Sequence, residues 1–403
     1  MQRRSNAIVF IRRDTGISSE EVSMSYDLFQ PEHDIFRQSI RDFVENEMAP
    51  HAEEWEEAGE VPRDVFLRLG ELDYLGMRYP EEYGGGDDVL AEAVLHEELI
   101  RTRSGGVAAD IGAHVAIAMP HIMHHGTSEQ KEKYLVPGLK GEWIGALGIT
   151  EPDAGSDVAG ITTRAVRDGD DWIINGAKTF ITNGARCDFM VIAVKTDPDK
   201  RYDGISMFVV DADTPGFEVS RKLDKLGWRA SSTGELAFTD MRVPSDALLG
   251  EVNRGFYQIM DGFAWERLTL ALGSVSGADL AMEQAMEYAK QRQAFGKPIS
   301  KFQVIAHYFA DMATEVEVGR AMTYHSLKLF VDGKNPIKEV SMAKLYCGRM
   351  ACRVIDTCLQ IYGGYGYMEE YDIARAYRDI RLMPIGGGTD EVMKMIIARM
   401  IGL

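Results

Sequence analysis

Asp171-Trp172-Ile173-Ile174-Asn175-Gly176-Ala177-Lys178-Thr179-Phe180-Ile181-Thr182-Asn183-Gly184 decides the fold. Trp172, Ile173 and Ile174 are strand formers, and the Asn175-Gly176 and Asn183-Gly184 pairs are strong hairpin signals. The same short apolar runs return at Phe189 to Val194, Ile205 to Val210 and Glu235 to Phe238. From Trp143 to about Gly250 the chain therefore reads as an antiparallel β domain.

On both sides the apolar period changes to that of a helix. Phe29, Ile35, Phe36, Ile40, Phe43 and Val44 recur at three-to-four spacing, and Pro50, Pro62 and Pro80 punctuate helix ends. Tyr83 to Gly86 is a loop, followed by helical stretches at Val94 to Ile100, His114 to His125 and Glu129 to Leu135. Beyond the β interval, helices are predicted over about Gly255 to Arg292, Phe302 to Val331 and Lys338 to Ile361. The expected organisation is an N-terminal extension (1–25), an N-terminal helical domain (26–142), a middle β domain (143–250) and a C-terminal helical bundle (251–403). This is an α+β fold in which a β domain interrupts two helical ones.

Composition narrows the function. The 403 residues imply two to three structural units, and 45% hydrophobic with 27% charged residues supports a large core. A net charge of −19 argues against nucleic acid and anionic membranes as partners, while small phosphorylated ligands remain allowed. Cys187, Cys347, Cys352 and Cys358 lack CxxC spacing and nearby His pairs, so neither a metal site nor a disulfide framework is expected, and reduced thiols fit best. No apolar run approaches the roughly 18 to 20 residues that span a bilayer. Arg3, Arg4, Arg12 and Arg13 flank only about five apolar residues, which suits an untargeted or over-extended start better than a targeting arm, with Met24 as initiator.

Several segments carry chemical potential. Ile149-Thr150-Glu151-Pro152-Asp153-Ala154-Gly155-Ser156-Asp157 offers amides, a hydroxyl and a permissive glycine, either as a phosphate or ring-edge cradle or as an ordinary polar turn. At Arg292 to Pro298 the Gly and Pro fit a helix C-cap, which leaves the pairing of Arg292 with Phe295 unexplained. Gln360-Ile361-Tyr362-Gly363-Gly364-Tyr365-Gly366 reads first as a glycine-rich helix end. Glu266 is the sharper signal, because Gly262, Phe263, Thr269 and Leu270 surround it on the helix without a basic partner. Such a carboxylate has a raised pKa and suits a general base, the alternative being a partly exposed boundary residue. Arg267 lies on another face and could steer an anionic substrate. In Pro384-Ile385-Gly386-Gly387-Gly388-Thr389-Asp390-Glu391, Gly388 or Thr389 is the expected N-cap, and three glycines before a helix leave amides free for an oxyanion or enolate.

Together these segments resemble the acyl-CoA dehydrogenase family of flavoproteins, in order from about Tyr26 to Leu403. The resemblance implies that Ile149, Thr150 and Ser156 contact FAD, with Ser156 also near the substrate, and that Phe180, Ile181 and Thr182 border the flavin ring. It implies that Arg292, Phe295, Gln303, Gln360, Ile361, Gly363 and Gly364 reach the FAD of a neighbouring subunit, while Thr389 and Glu391 close the site. Most members carry a catalytic glutamate where this sequence has Gly387. In the long-chain and isovaleryl branches the base sits on the long helix immediately before an arginine, and Glu266-Arg267 matches that pattern. Phe180 in place of a tryptophan is also similar to the long-chain branch.

The implied reaction removes the α proton of a saturated acyl-CoA at Glu266 while the β hydride passes to FAD, giving the trans-2-enoyl-CoA. Arg267 and Gly387 would serve the substrate, the Gly387 amide holding the thioester oxygen. An electron-transfer flavoprotein would take the electrons, and a homotetramer or dimer in the cytoplasm, or in the mitochondrial matrix of a eukaryote, would be the working form. A flavin oxidase or monooxygenase on the same fold is the alternative. The small residues Ala116 and Ala118 between His114 and Met119 suit either an acyl tunnel border or tight helix packing.

Overall fold

The computed structural model describes residues 28–403. The basic arm, Met24 and the predicted domain start at Tyr26 lie outside the described residues. The N-terminal helical layer contains α1 (Pro31–Phe43), α2 (Val89–Glu98) and α3 (Gly105–Gly112), linked by further helices and turns. Asp88 caps α2 by accepting from the Leu90 and Ala91 amides, and Ser104 caps α3 through the Val107 amide. From α3 the helical path runs on to His125, and Gly105–His125 is long and apolar enough to cross a membrane by length and composition. Most of it is buried within the protein, as a core helix requires.

An eight-stranded sheet follows: β1 (Gly145–Gly148), β2 (Arg164–Asp168), β3 (Asp171–Thr182), β4 (Phe189–Lys195), β5 (Ile205–Asp211), β6 (Phe217–Lys222), β7 (Thr233–Val243) and β8 (Leu248–Leu249). Its order is β6-β7-β3-β2-β4-β5-β8, and β1 pairs with β4. The sheet is antiparallel except where β1 and the end of β2 meet β4 in parallel. β4 is buried throughout and β5 up to Val210, and both are mostly apolar because both of their faces are covered.

Neither expected hairpin forms at the Asn-Gly pairs. β3 continues through Asn175-Gly176, where its register against β7 shifts between Ile174 and Gly176. The Asn175 amide reaches across that bulge, donating to Asp240 Oδ1 at 3.2 Å and accepting from the Asp240 amide at 2.9 Å. An asparagine and a glycine suit a bulge as well as a turn, and long-range pairing decided between them. Asn183 does sit in a turn with φ 63°, but the strand that follows, β4, lies beyond β2 instead of beside β3.

At Gly176 a Cβ would lie 2.4 Å from Thr163 Oγ1 and 2.6 Å from Thr163 Cα. Gly176→Ala is therefore expected to destabilise the protein by about 2 kcal/mol, read as a lower urea midpoint. An unchanged midpoint would contradict the close approach of Thr163 to Gly176.

The C-terminal bundle consists of α4 (Gly255–Gln291), α5 (Gln303–Val331), α6 (Ile337–Tyr362), α7 (Asp372–Ile380) and α8 (Asp390–Met400). Ala271, Val275, Ala278, Ala281, Ala285 and Ala289 make one side of α4 narrow, and it shares a core with Ala343, Cys347, Met350, Ala351 and Val354 of α6. Small side chains at that spacing let two long helices approach closely. One carboxylate ties all three layers together: Asp379 on α7 accepts from the Gly105 amide at 2.9 Å and the Trp228 amide at 2.6 Å.

Candidate functional site

Glu266 lies on α4, 8% exposed, and its Oε1 has no hydrogen-bond partner. Gly262, one turn earlier, leaves the space: a Cβ there would lie 3.1 Å from His121 Cε1 and 3.4 Å from Glu266 Oε1. Burial pushes the Glu266 carboxyl up to about 8, with Arg267 pulling the other way. His121 is held neutral, since burial and the neighbouring His125 and His124 push it down to about 3. The sequence-based expectation of a raised carboxyl on a glycine-lined stripe matches this arrangement.

Arg267 is not paired with Glu266. Its Nε donates to the Gly387 carbonyl at 3.3 Å, and its guanidinium lies 4.7 Å over the Phe263 ring. Gly387 (φ 64°) and Gly388 (φ 97°) both adopt left-handed backbone. A Cβ at Gly387 would come within 2.3 Å of Leu270 Cδ1, on the helical turn after Glu266. The turn is thus built against the Glu266 face of α4, where a side chain at 387 would be strained. Of the two expected caps, Thr389 is the one used, accepting from the Val392 amide at 3.3 Å, and Glu391 is exposed in the first turn of α8.

A second group lies along β3. Ile149 and Thr150 are fastened to it: Lys178 Nζ donates to the Ile149 carbonyl at 2.9 Å, and the Thr179 amide to the Thr150 carbonyl at 2.9 Å. Lys178, wholly buried, also meets Glu151 Oε1 at 2.9 Å, while Thr162 and Thr163 donate to the same carboxylate. Burial pushes Lys178 down to about 8 against the pull of Glu151. For Glu151 burial is opposed and outweighed by Lys178 and its other donors, so its carboxyl sits below the ordinary value. Ser156 is exposed at the loop tip, Ile181 is buried and Thr182 half-buried. Phe180 is 70% exposed with φ 59°, at the register shift between Lys178 and Ile181. An exposed ring on strained backbone is a feature that functional sites retain.

The third group is at the far end of α4. Gly296 and Pro298 do not cap the helix as expected; Arg292 is the C-cap, its amide donating to the Tyr288 carbonyl. α4 ends at Gln291 and a two-stranded hairpin follows, pairing Gln293 and Ala294 with Pro298 and Lys297. Phe295 (φ 52°) and Gly296 (φ 79°) form its tip, as a tight primed turn requires. Phe295 is 96% exposed, and Arg292 has no ion-pair partner among the described residues, its guanidinium lying 5.4 Å over Tyr365. That contact brings Arg292 to the Gln360 to Gly366 turn, where Gln360 is exposed, Ile361 buried, and Gly363 and Gly364 face open space. Gln303 is exposed at the start of α5.

These groups fit FAD: an exposed aromatic and amides for a ring, and an unpaired arginine beside open glycines for a pyrophosphate. Sequence reading missed Lys178 and Lys344. A lysine inside an apolar strand was the available signal for Lys178, since buried charges are paired. Lys344 donates to the Gly388 carbonyl from the first third of α6, a contact no local pattern announces.

Family models for acyl-CoA dehydrogenase N-terminal, middle and C-terminal domains match residues 30–142, 146–241 and 253–402. The chain is 43% identical to the mouse mitochondrial long-chain specific acyl-CoA dehydrogenase over 93% of this chain and 87% of that protein. It is 44% identical to an acyl-CoA dehydrogenase structure from Geobacillus kaustophilus, with TM-score 0.89 over 93% and 99% of the two chains. The butyryl-CoA dehydrogenase structure from Megasphaera elsdenii matches at 37% identity and TM-score 0.89, over 93% and 98%. The helical, β and helical layers, and family models that account for almost all of the described chain, place this protein in the acyl-CoA dehydrogenase family.

Proposed function

We propose that Glu266 is the base with which this FAD-dependent acyl-CoA dehydrogenase removes the α proton of its substrate. The observation that carries this reading is a buried carboxylate with an unpartnered oxygen, set on α4 beside the glycine turn. When bound, FAD supplies the acceptor for the β hydride. The chain's own residues do the rest. Glu266 takes the proton from a face kept apolar by Gly262, Phe263 and Leu270, and the turn at Gly387 presents amides to the thioester oxygen. An α C–H is too weakly acidic to be removed unless that oxygen is held, and one such donor is worth about 100- to 1000-fold in rate.

The contacts of Ile149, Thr150, Phe180, Ile181 and Thr182 with FAD, of Ser156 with FAD and substrate, and of Thr389 and Glu391 at the closing edge belong to this proposal. So does delivery of Arg292, Phe295, Gln303, Gln360, Ile361, Gly363 and Gly364 to a neighbouring copy, supported by the bare Phe295 tip and the unpaired Arg292. The assembly proposed is a homotetramer or dimer, with electron-transfer flavoprotein as the electron acceptor in a cytoplasmic or matrix compartment. For Arg267 the bond to Gly387 supports a role in shaping the turn more than in steering an anion.

The test is an anaerobic titration of FAD-loaded protein with saturated acyl-CoAs of graded length and branching. Bleaching by one class supports the reading and names the substrate; a flavin that stays yellow with all of them, with rapid peroxide formation in air, favours the oxidase or monooxygenase alternative. Because Glu266 must be ionised to accept a proton, the reduction rate is expected to climb as pH rises through about 8, by about tenfold per unit below it. A flat profile from pH 6 to 9 would count against Glu266.

A further inference from the structure

Two cations grip successive carbonyls of the glycine turn. Arg267 Nε donates to the Gly387 carbonyl at 3.3 Å, and Lys344 Nζ, from α6, donates to the Gly388 carbonyl. Lys344 is buried, and no carboxylate forms an ion pair with it among the described residues. Its ammonium is spent on a backbone oxygen, an expensive use of a buried charge unless the peptide it holds matters. A trans peptide points its N–H away from its C=O. Fixing the two carbonyls from the bundle side therefore aims the Gly388 and Thr389 amides to the opposite side. Among the described residues, the amides of Gly387, Gly388 and Thr389 donate to no protein acceptor. Left-handed backbone at both glycines makes the turn one that relaxes once its anchors are lost.

We propose that Lys344 is a positioning residue for the thioester-oxygen site, holding the Gly388 carbonyl so that the glycine turn keeps the conformation in which the Gly387 amide faces the substrate. The proposal rests on the acyl-CoA reading above. Lys344 touches no reacting atom; it acts through the turn.

The test compares Lys344→Met, which keeps the stem and removes the donor, with Lys344→Gln, which keeps a shorter donor. Flavin reduction at saturating acyl-CoA is expected to fall about 100-fold in the Met variant with half-saturation little changed, and the Gln variant is expected to recover part of the rate. A second readout avoids turnover: the carbonyl 13C resonance of a thioester-labelled acyl-CoA bound to Glu266→Gln protein, with and without Lys344→Met. The downfield displacement that marks a polarised carbonyl is expected to shrink in the double variant. An unchanged resonance overturns the proposal, as does a Met variant reduced within about twofold of the parent. Loss of thermal stability in both variants with the resonance intact assigns Lys344 to folding alone. If Glu266→Gln itself consumes the labelled substrate, the base assignment has failed and not the role of Lys344.

Discussion

Glu266→Gln is expected to make the protein more stable, and more so as the pH rises. The carboxyl has an ordinary value of 4.5 and is raised to about 8 in the folded protein, chiefly by burial. Below the lower value the proton is present in folded and unfolded chains alike. Between the two, the folded state holds a proton that the unfolded state releases, so the wild type loses stability as the pH climbs through this window. Glutamine has the same shape and no such proton. The advantage of the variant should thus be small at pH 5 and reach on the order of 3 kcal/mol by pH 7. Thermal midpoints of the FAD-loaded proteins at pH 5, 7 and 8 would show it. A gain equal at all three would mean that the carboxylate is not buried as described. A site residue that weakens its own fold is the usual sign of a group kept for chemistry.

Breaking the Glu151–Lys178 pair is the other large effect. Lys178→Met leaves Glu151 buried with its main counter-charge removed, which is expected to cost about 3 to 5 kcal/mol. The pair also fastens the Ile149 to Asp157 loop to β3, so FAD content should fall with stability. Glu151→Leu combined with Lys178→Met removes both charges and is expected to recover much of the stability without recovering FAD, since Thr162 and Thr163 lose the acceptor that shapes the loop. FAD occupancy by absorbance, read beside the unfolding midpoint, separates the two. Full occupancy in Lys178→Met would detach the latch from the cofactor site.

What the sequence revealed, and what it concealed, follows from the range of the interactions involved. The long helices were legible because each buries a periodic stripe, and α4 to α6 end within a residue or two of the reading. The burial and raised carboxyl of Glu266 were legible because its helical neighbours sit three and four residues away. Asn175-Gly176 misled because bulge and hairpin share the same residues, and only Thr163 and Asp240, distant in sequence, select the bulge. Gly296 misled as a helix cap because a primed turn asks for the same left-handed glycine. Lys178 and Lys344 were silent, since their partners lie on other elements and burial alone gives a lysine its meaning.

The most direct measurement mixes FAD-loaded wild type and Glu266→Gln anaerobically with whichever acyl-CoA class bleaches the flavin, and follows the visible absorbance in the first turnover. Rapid bleaching is expected in the wild type and, in the variant, a flavin that stays yellow or bleaches at least about 100-fold more slowly while acyl-CoA still binds. A variant that bleaches at a near-normal rate would show that another group takes the α proton.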